Sequence, residues 1–288
     1  MGKAMQSTSA AGAAGQSSVG GQPATDGSAD RAFSLLDALK RAACVAQPFP
    51  HLVVDDCLPQ SSYRALVETF PADLVPEAVR MTANKRYDIF SSWGSSPNDL
   101  PSMPAPWRVF VAQNETADMA RMTCSRLMPQ LVLGEGELFQ PLAGPGAVNP
   151  GDIRVRVSVG VNTQAAQQTS VRGPHCDRLT KAFVGLYYLK DPAEGRLGGD
   201  LLLYRWKPGR KPRRAWPATI DEADVELGAT IEYAPNRLVL FMNADEAIHG
   251  VSPRLPGVHF RRLVVISGWF PGYRTDPGTA AALGLSAG

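Results

Sequence analysis

The sequence predicts an α+β protein that is mainly β, a closed or sandwiched antiparallel sheet preceded by a helical region. Three observations carry that class. From Asp152 onward, short β-rich runs are split by turns with no long helix between them: Ile153 to Val161, Ala182 to Leu189, Asp200 to Trp206, Thr230 to Tyr233, Arg237 to Met242 and Leu263 to Phe270. Before that point the apolar pattern is mainly helical, and no repeat of fixed period appears. The 288 residues are 44% hydrophobic and 19% charged, enough apolar material for one or two domains with a buried core.

Residues 1–30 are rich in Gly, Ala, Ser and Gln and read as a disordered leader. Lys3 is the one basic residue before Arg31 and no continuous apolar stretch follows it, which argues against a secretory signal. Gln6 stands where N-myristoylation requires Ser or Thr. Phe33, Leu35, Leu36, Leu39 and Ala43 recur at helical spacing, Phe49 to Val54 reads as a short strand, and a second helix runs from about Gln60 to Phe70. Ser92 to Pro106, with repeated Ser, Pro, Gly and Asn, reads as a loop, and a helical block includes Thr116 to Leu131. The expected organisation is a helical support region at 31–150, a β core at 151–275 and a tail at 276–288. Within the β core, Lys207, Arg210, Lys211, Arg213 and Arg214 are followed by Asp221, Glu222, Asp224 and Glu226, a solvated insertion in preference to an electrostatic docking surface.

Composition excludes several classes of function. Lys and Arg number 29 against 27 Asp and Glu, a net charge of +2, which supports binding to neither nucleic acid nor anionic lipid. No apolar run approaches the roughly 20 residues of a membrane span. Cys44, Cys57, Cys124 and Cys176 are far apart with no Cys-x-x-Cys pair, so neither a zinc knuckle nor a disulfide framework is expected, and a cytoplasmic protein is the simplest reading.

The chemistry concentrates around the four histidines. In Gly173-Pro174-His175-Cys176-Asp177, residues two apart on a strand share a face, so His175 and Asp177 converge while Cys176 points away. His249, in Ala247-Ile248-His249-Gly250-Val251, is the candidate third ligand. Two imidazoles and one carboxylate on one face suit Fe(II) and leave positions open for a co-substrate and oxygen. Each histidine taken alone is equally compatible with a satisfied interior residue. His51 and His259 have no partner at ligand spacing and default to structural roles. Tyr187-Tyr188-Leu189 and Gly198-Gly199-Asp200-Leu201 lie between the ligand segments, and Arg261 and Arg262 open the last strand with a guanidinium suited to a carboxylate.

That ordered set resembles the iron(II)- and 2-oxoglutarate-dependent dioxygenases, in particular the branch that includes prolyl hydroxylases. The resemblance runs from about Ile153 to Phe270, through His175-x-Asp177, the Tyr-Tyr-Leu strand, Gly-Gly-x-Leu, the distal His249-Gly250-Val251 and the final strand ending Ser267-Gly268-Trp269-Phe270. It implies a double-stranded β-helix, or jelly roll, with an N-terminal helical support, and His175, Asp177 and His249 as iron ligands. By the same carry-over, Tyr188 matches the tyrosine that bonds the distal carboxylate of 2-oxoglutarate, with core packing as its other reading. Arg261 and Arg262 point to opposite faces of one strand, so only one enters the barrel. Alternation from Trp269 puts Arg261 on that residue's side, the family pattern favours the second arginine, and both are kept with a lean to Arg262.

Substrate residues are less marked. Arg154 and Arg156 share a face of the first β run opposite Ile153, Val155, Val157 and Val159, and either meet an anionic substrate or face water, the second being favoured; Arg172 and Asn162 have similar claims. Arg86 and Tyr87 read as part of a packed loop. The implied reaction uses Fe(II), 2-oxoglutarate and O2 to hydroxylate a carbon of a small carboxylate, a free or N-acylated amino acid, releasing succinate and CO2. The intact Asp177 favours hydroxylation over halogenation. A prolyl or other residue hydroxylase acting on a peptide, and a metal- and 2-oxoglutarate-binding sensor without turnover, are the alternatives.

Overall fold

A strand buried on one face must alternate, and the strand Arg154–Asn162 does so over its whole length: Val155, Val157, Val159 and Val161 point to one side and Arg156, Ser158, Gly160 and Asn162 to the other. The computed structural model containing it describes residues 31–93, 97–127, 150–178, 180–195, 198–210, 219–244, 246–257 and 259–270. The elements are α1 (Leu36–Arg41), β1 (Cys44–Val45), β2 (His51–Val54), α2 (Gln60–Glu68), α3 (Glu77–Arg80), β3 (Arg86–Ser91), α4 (Ala105–Asn114), α5 (Ala117–Leu127), β4 (Arg154–Asn162), β5 (Lys181–Tyr188), β6 (Leu201–Trp206), β7 (Val225–Ile231), β8 (Leu238–Met242), β9 (His249–Val251) and β10 (Arg261–Trp269). They form a seven-stranded sheet ordered β1-β2-β8-β5-β10-β4-β3 and a three-stranded sheet ordered β7-β6-β9, antiparallel throughout. The protein is thus mainly β, with a few helices.

The large sheet has two buried faces. On one, the valines of β4, Phe183 and Tyr187 of β5, Leu238 and Leu240 of β8, and Val264 and Ile266 of β10 pack with Trp107 and Phe110 of α4 and Met119, Ala120 and Cys124 of α5. On the other, Val184 and Tyr188 of β5, Val239 and Phe241 of β8 and Leu263 of β10 join Leu201 and Leu203 of β6 from the small sheet. Each fully buried aliphatic side chain stabilises the fold by about 1.5–3 kcal/mol, so slipping β4 or β10 by one residue exposes a row of them and is strongly disfavoured. Fully buried Asn114 ties the helices together: its side chain donates to the carbonyls of Phe33 and Phe110 and accepts from the Leu35 amide.

Some sequence expectations need revision. Residues 31–150 supply the expected strand at Phe49 to Val54 as β2, and also the unexpected β1 and β3, to the large sheet. The stretch around Arg86 is the edge strand β3, not a loop; its early residues are polar and only Ile89, Phe90 and Ser91 are buried, which hides it from a search for apolar runs. β7 starts at Val225 rather than Thr230, because the middle of this sheet-edge strand faces solvent. The first helix spans only Leu36–Arg41, since Ala42 is already extended and Cys44 and Val45 pair with β2. The expected leader 1–30, the tail 276–288, the end of the helical block after Leu127 and positions 211–218 of the basic insertion lie outside the described residues. No helix among the described residues is long and apolar enough to cross a membrane.

Where β10 pairs with β5 the register slips between Gly268 and Trp269, so Trp269 faces Lys181 and both Ala182 and Phe183 turn to the helical side. Gly268 has no room for a side chain, because a Cβ there would enter the space of the Phe183 ring. Gly268→Val is therefore expected to destabilise the protein by about 1–3 kcal/mol, read as a lower denaturation midpoint at unchanged slope.

Candidate metal centre

The three ligand candidates meet at one point. His175 and His249 exchange both backbone hydrogen bonds, 2.9 Å for His175 N–H to the His249 carbonyl and 3.0 Å for the reverse, and their ring centroids lie 4.2 Å apart. The His249 Nε2 is 3.8 Å from Asp177 Oδ2, and one potential ligand atom from each of the three residues lies within 4.8 Å of the others. Among the described residues this is the one such cluster of His, Cys, Asp and Glu. His175 takes part in strand pairing, with Thr219 and His249, whereas Asp177 lies on irregular backbone just beyond. Cys176 packs with Ile220, Val225 and Ile248, away from the cluster.

Both imidazoles are held in the tautomer a metal requires. His175 Nδ1 is 2.9 Å from the Gly173 carbonyl and His249 Nδ1 is 3.0 Å from the Ala247 carbonyl. A carbonyl oxygen only accepts, so each Nδ1 carries the proton and each Nε2 presents its lone pair. Burial, then the nearby His249 and Arg172, push the His175 pKa down, and burial does the same at His249. Burial alone would raise the Asp177 pKa, but Lys181, His249, His175 and Arg172 outweigh it and hold the carboxyl below its ordinary value. The set is two neutral imidazoles and one carboxylate at neutral pH, the protonation states in which these groups ligate.

The cluster opens on a cavity of about 410 Å3 between the sheets. Val184, Leu186, Leu201, Leu263 and Val265 form its apolar wall, and polar groups mark both ends. At one end Arg261 is buried, with Nε donating to the Gly199 carbonyl at 2.8 Å and a terminal nitrogen donating to Asn162 Oδ1 at 3.2 Å. Its guanidinium lies 5.1 Å from the Tyr188 ring centre and 5.0 Å from that of Tyr233. Three buried atoms here have no hydrogen-bond partner: the other terminal nitrogen of Arg261, the Tyr188 hydroxyl and the Asn162 amide nitrogen. Gly199, at φ +77°, makes this approach workable, since a Cβ would press within 2.9 Å of the Arg261 side chain. The rest of the lining is polar: Arg86, whose strand position is opposite Asn162, then Asp88, Arg156, Ser158, Arg172, Lys181 and Ser267, with Lys181 Nζ 3.3 Å from Asp177 Oδ2.

Arg262, the arginine the family pattern favours, does not line this cavity. Its guanidinium lies on the opposite face of β10, 3.0 Å from Glu194 Oε1 and 3.8 Å from Asp191 Oδ2, while Arg261 points into the cavity. Of the substrate candidates, Arg156 and Arg172 line the cavity. Arg154 shares the inner face of β4 but is exposed beyond the cavity, 5.4 Å from the Trp93 ring centre. Arg86, dismissed as part of a loop, lines the cavity, as does Lys181, which no sequence feature singled out. Buried Arg254 is structural, donating to the Thr163 and His259 carbonyls and to Asn84.

No family model matches the sequence, and no curated protein matches it. Among solved structures, a prolyl-4-hydroxylase from Pseudomonas putida is similar at 15% identity, covering 83% of this chain and 98% of its own, with a TM-score of 0.43. The Fe(II)/α-ketoglutarate-dependent dioxygenase TqaL is similar at 12% identity, covering 79% of this chain and 84% of its own, with a TM-score of 0.45. The epimerase SnoN, in complex with Fe3+, α-ketoglutarate and nogalamycin RO, is similar at 12% identity over 84% of this chain and 91% of its own, with a TM-score of 0.42. At these values likeness decides nothing about the reaction, and the chemistry has to be read from the site.

His249→Ala removes one of the three candidate ligands, so Mn(II) affinity, measured by electron paramagnetic resonance titration, is expected to fall by more than the roughly 10- to 100-fold typical of losing an outer-sphere partner. An unchanged affinity would show that the cluster is not a metal centre.

Proposed function

We propose that this protein is an Fe(II)- and 2-oxoglutarate-dependent dioxygenase built on a double-stranded β-helix, which hydroxylates an unactivated carbon of a small carboxylate substrate such as a free or N-acylated amino acid. One observation carries the reading: a single cavity joins a two-histidine, one-carboxylate cluster to a buried arginine whose terminal nitrogen has no partner. When bound, iron and 2-oxoglutarate supply activation of O2, with succinate and CO2 released and one oxygen atom delivered to a substrate C–H bond.

The chain's own residues account for the rest. His175, Asp177 and His249 would hold the metal from one side. Arg261 and Tyr188 would hold the distal carboxylate of 2-oxoglutarate, and Asn162 orients the guanidinium from its other edge. Leaving such donors buried and unpaired costs about 1–3 kcal/mol each, a penalty that a carboxylate accepting from them would relieve. The apolar wall excludes water around the reacting carbon. A volume of about 410 Å3 is near the small end for ligand sites, which favours a compact substrate over a folded protein surface.

The deciding experiment loads the protein anaerobically with Fe(II) and 2-oxoglutarate, then admits air in the presence of pools of free amino acids, N-acyl amino acids and proline-containing peptides, following succinate and product mass together. Succinate coupled to one added oxygen in an amino-acid pool is the expected outcome. Product in the peptide pool alone would point to a residue hydroxylase, and tight 2-oxoglutarate binding without product from any pool would point to a sensor. Arg261→Met should raise the 2-oxoglutarate dissociation constant about tenfold or more, and Tyr188→Phe by less, while Arg262→Met should leave it within about twofold.

A further inference from the structure

The cavity is charged out of proportion to what the metal and co-substrate require. Five cationic side chains line the cavity, Arg86, Arg156, Arg172, Lys181 and Arg261, against two carboxylates, Asp88 and Asp177, a surplus of three positive charges. A divalent metal and the 2-oxoglutarate dianion cancel one another and leave that surplus in place. Fields of one sign focused in a low-dielectric cleft select ligands of the other sign.

Two of these side chains, on the paired strands β3 and β4, each reach toward the other's strand. Arg156 is partly buried, its guanidinium 5.9 Å from the Trp269 ring centre, and its Nε donates to Ser91 Oγ at 2.6 Å. That bond fixes the plane of the group, and no described residue bonds the two terminal nitrogens. Arg86 reaches across Gly160, where a Cβ would stand within 2.8 Å of its NH2, and pairs through that nitrogen with Asp88 at 2.5 Å. Its other terminal nitrogen, NH1, is buried without a partner. Lys181, 5.7 Å from the Trp269 ring centre on the side of the metal ligands, adds a third cation.

We propose that Arg156 and Arg86 form a second anion subsite, which takes the carboxylate of the substrate itself and makes the enzyme selective for acids over the corresponding amides. This rests on the dioxygenase reading for the word substrate, but the subsite can be tested apart from turnover. A planar fork with a fixed Nε suits a two-oxygen carboxylate. Asp88, already beside Arg86, disfavours a phosphate dianion at the same place.

The test uses protein loaded with Zn(II) and saturating 2-oxoglutarate, with acetate, inorganic phosphate and acetamide as probes and nuclear magnetic resonance of the Arg156 Nε–H and Trp269 Nε1–H as readout. Acetate is expected to shift both signals saturably and acetamide neither. Arg156→Gln and Arg86→Gln should each weaken acetate about tenfold, with 2-oxoglutarate affinity within about twofold of wild type. Arg156→Lys, which keeps the charge and loses the fork, provides a milder variant should Gln disturb the fold, and is expected to weaken acetate several-fold. Equal binding of acetate and acetamide, equal acetate affinity in wild type and variants, or phosphate at least tenfold tighter than acetate would each overturn the proposal. Failure of 2-oxoglutarate to bind would instead sink the dioxygenase reading, and the acetate titration repeated on Arg261→Gln would still read the Arg86–Arg156 end alone.

Discussion

The opposed faces of β4 and β10 are the constraint on which the rest depends. Val155, Val157, Val159 and Val161 on one strand and Val264 and Ile266 on the other are buried against the helices, and their burial allows one register. The opposite faces are thereby committed: Arg156, Ser158, Gly160 and Asn162 stand beside Ser267, Val265, Leu263 and Arg261, pair by pair. The polar inventory of the cavity is thus set by hydrophobic burial on its far side. This is how a sheet places several charged groups in its interior, each held by a backbone that other residues have already positioned.

Much of this was legible in the sequence, and the parts that were not have physical causes. The alternating strands β4, β5, β8 and β10 were visible because both faces are buried and few polar residues interrupt them. The histidine and aspartate ligand candidates stood out because few other residues of that chemistry occur at workable spacing. Alternation back from Trp269 puts Arg261 on the face that lines the cavity, whereas the family pattern pulled toward Arg262, so strand parity was the better guide to which arginine enters the cavity. Arg86 was missed because an edge strand with polar residues at its start does not read as a strand. Lys181 was missed because a bulge inverts the alternation next to it, which no pattern of period two can register.

Backbone hydrogen bonds, not side-chain contacts, bring the candidate ligands together. Two reciprocal backbone hydrogen bonds join the histidines' segments, and two carbonyls fix the imidazole protons, so the geometry of the donor atoms is carried by sheet and loop backbone. The conformational entropy of gathering ligands from distant parts of the chain is offset by folding itself. The same holds at the far end, where Gly199 brings its carbonyl against Arg261 and aromatic rings flank the guanidinium. Rigid donors of opposite character at the two ends of a short cavity constrain the orientation of a bound molecule as well as its composition.

The bulge between Gly268 and Trp269 has a consequence for how this chain tolerates change. Upstream and downstream of it, opposite parities of β5 face the cavity, so the number of residues between Lys181 and Phe183 matters as much as their identity. If the ladder ran regularly through all of these residues, Lys181 would face the apolar layer under the helices; removing the one extra residue would also restore the ladder but leave Lys181 on the cavity side. The extra residue thus compensates the parity of this strand, and a relative of equal length that lost the bulge would have a differently charged cavity.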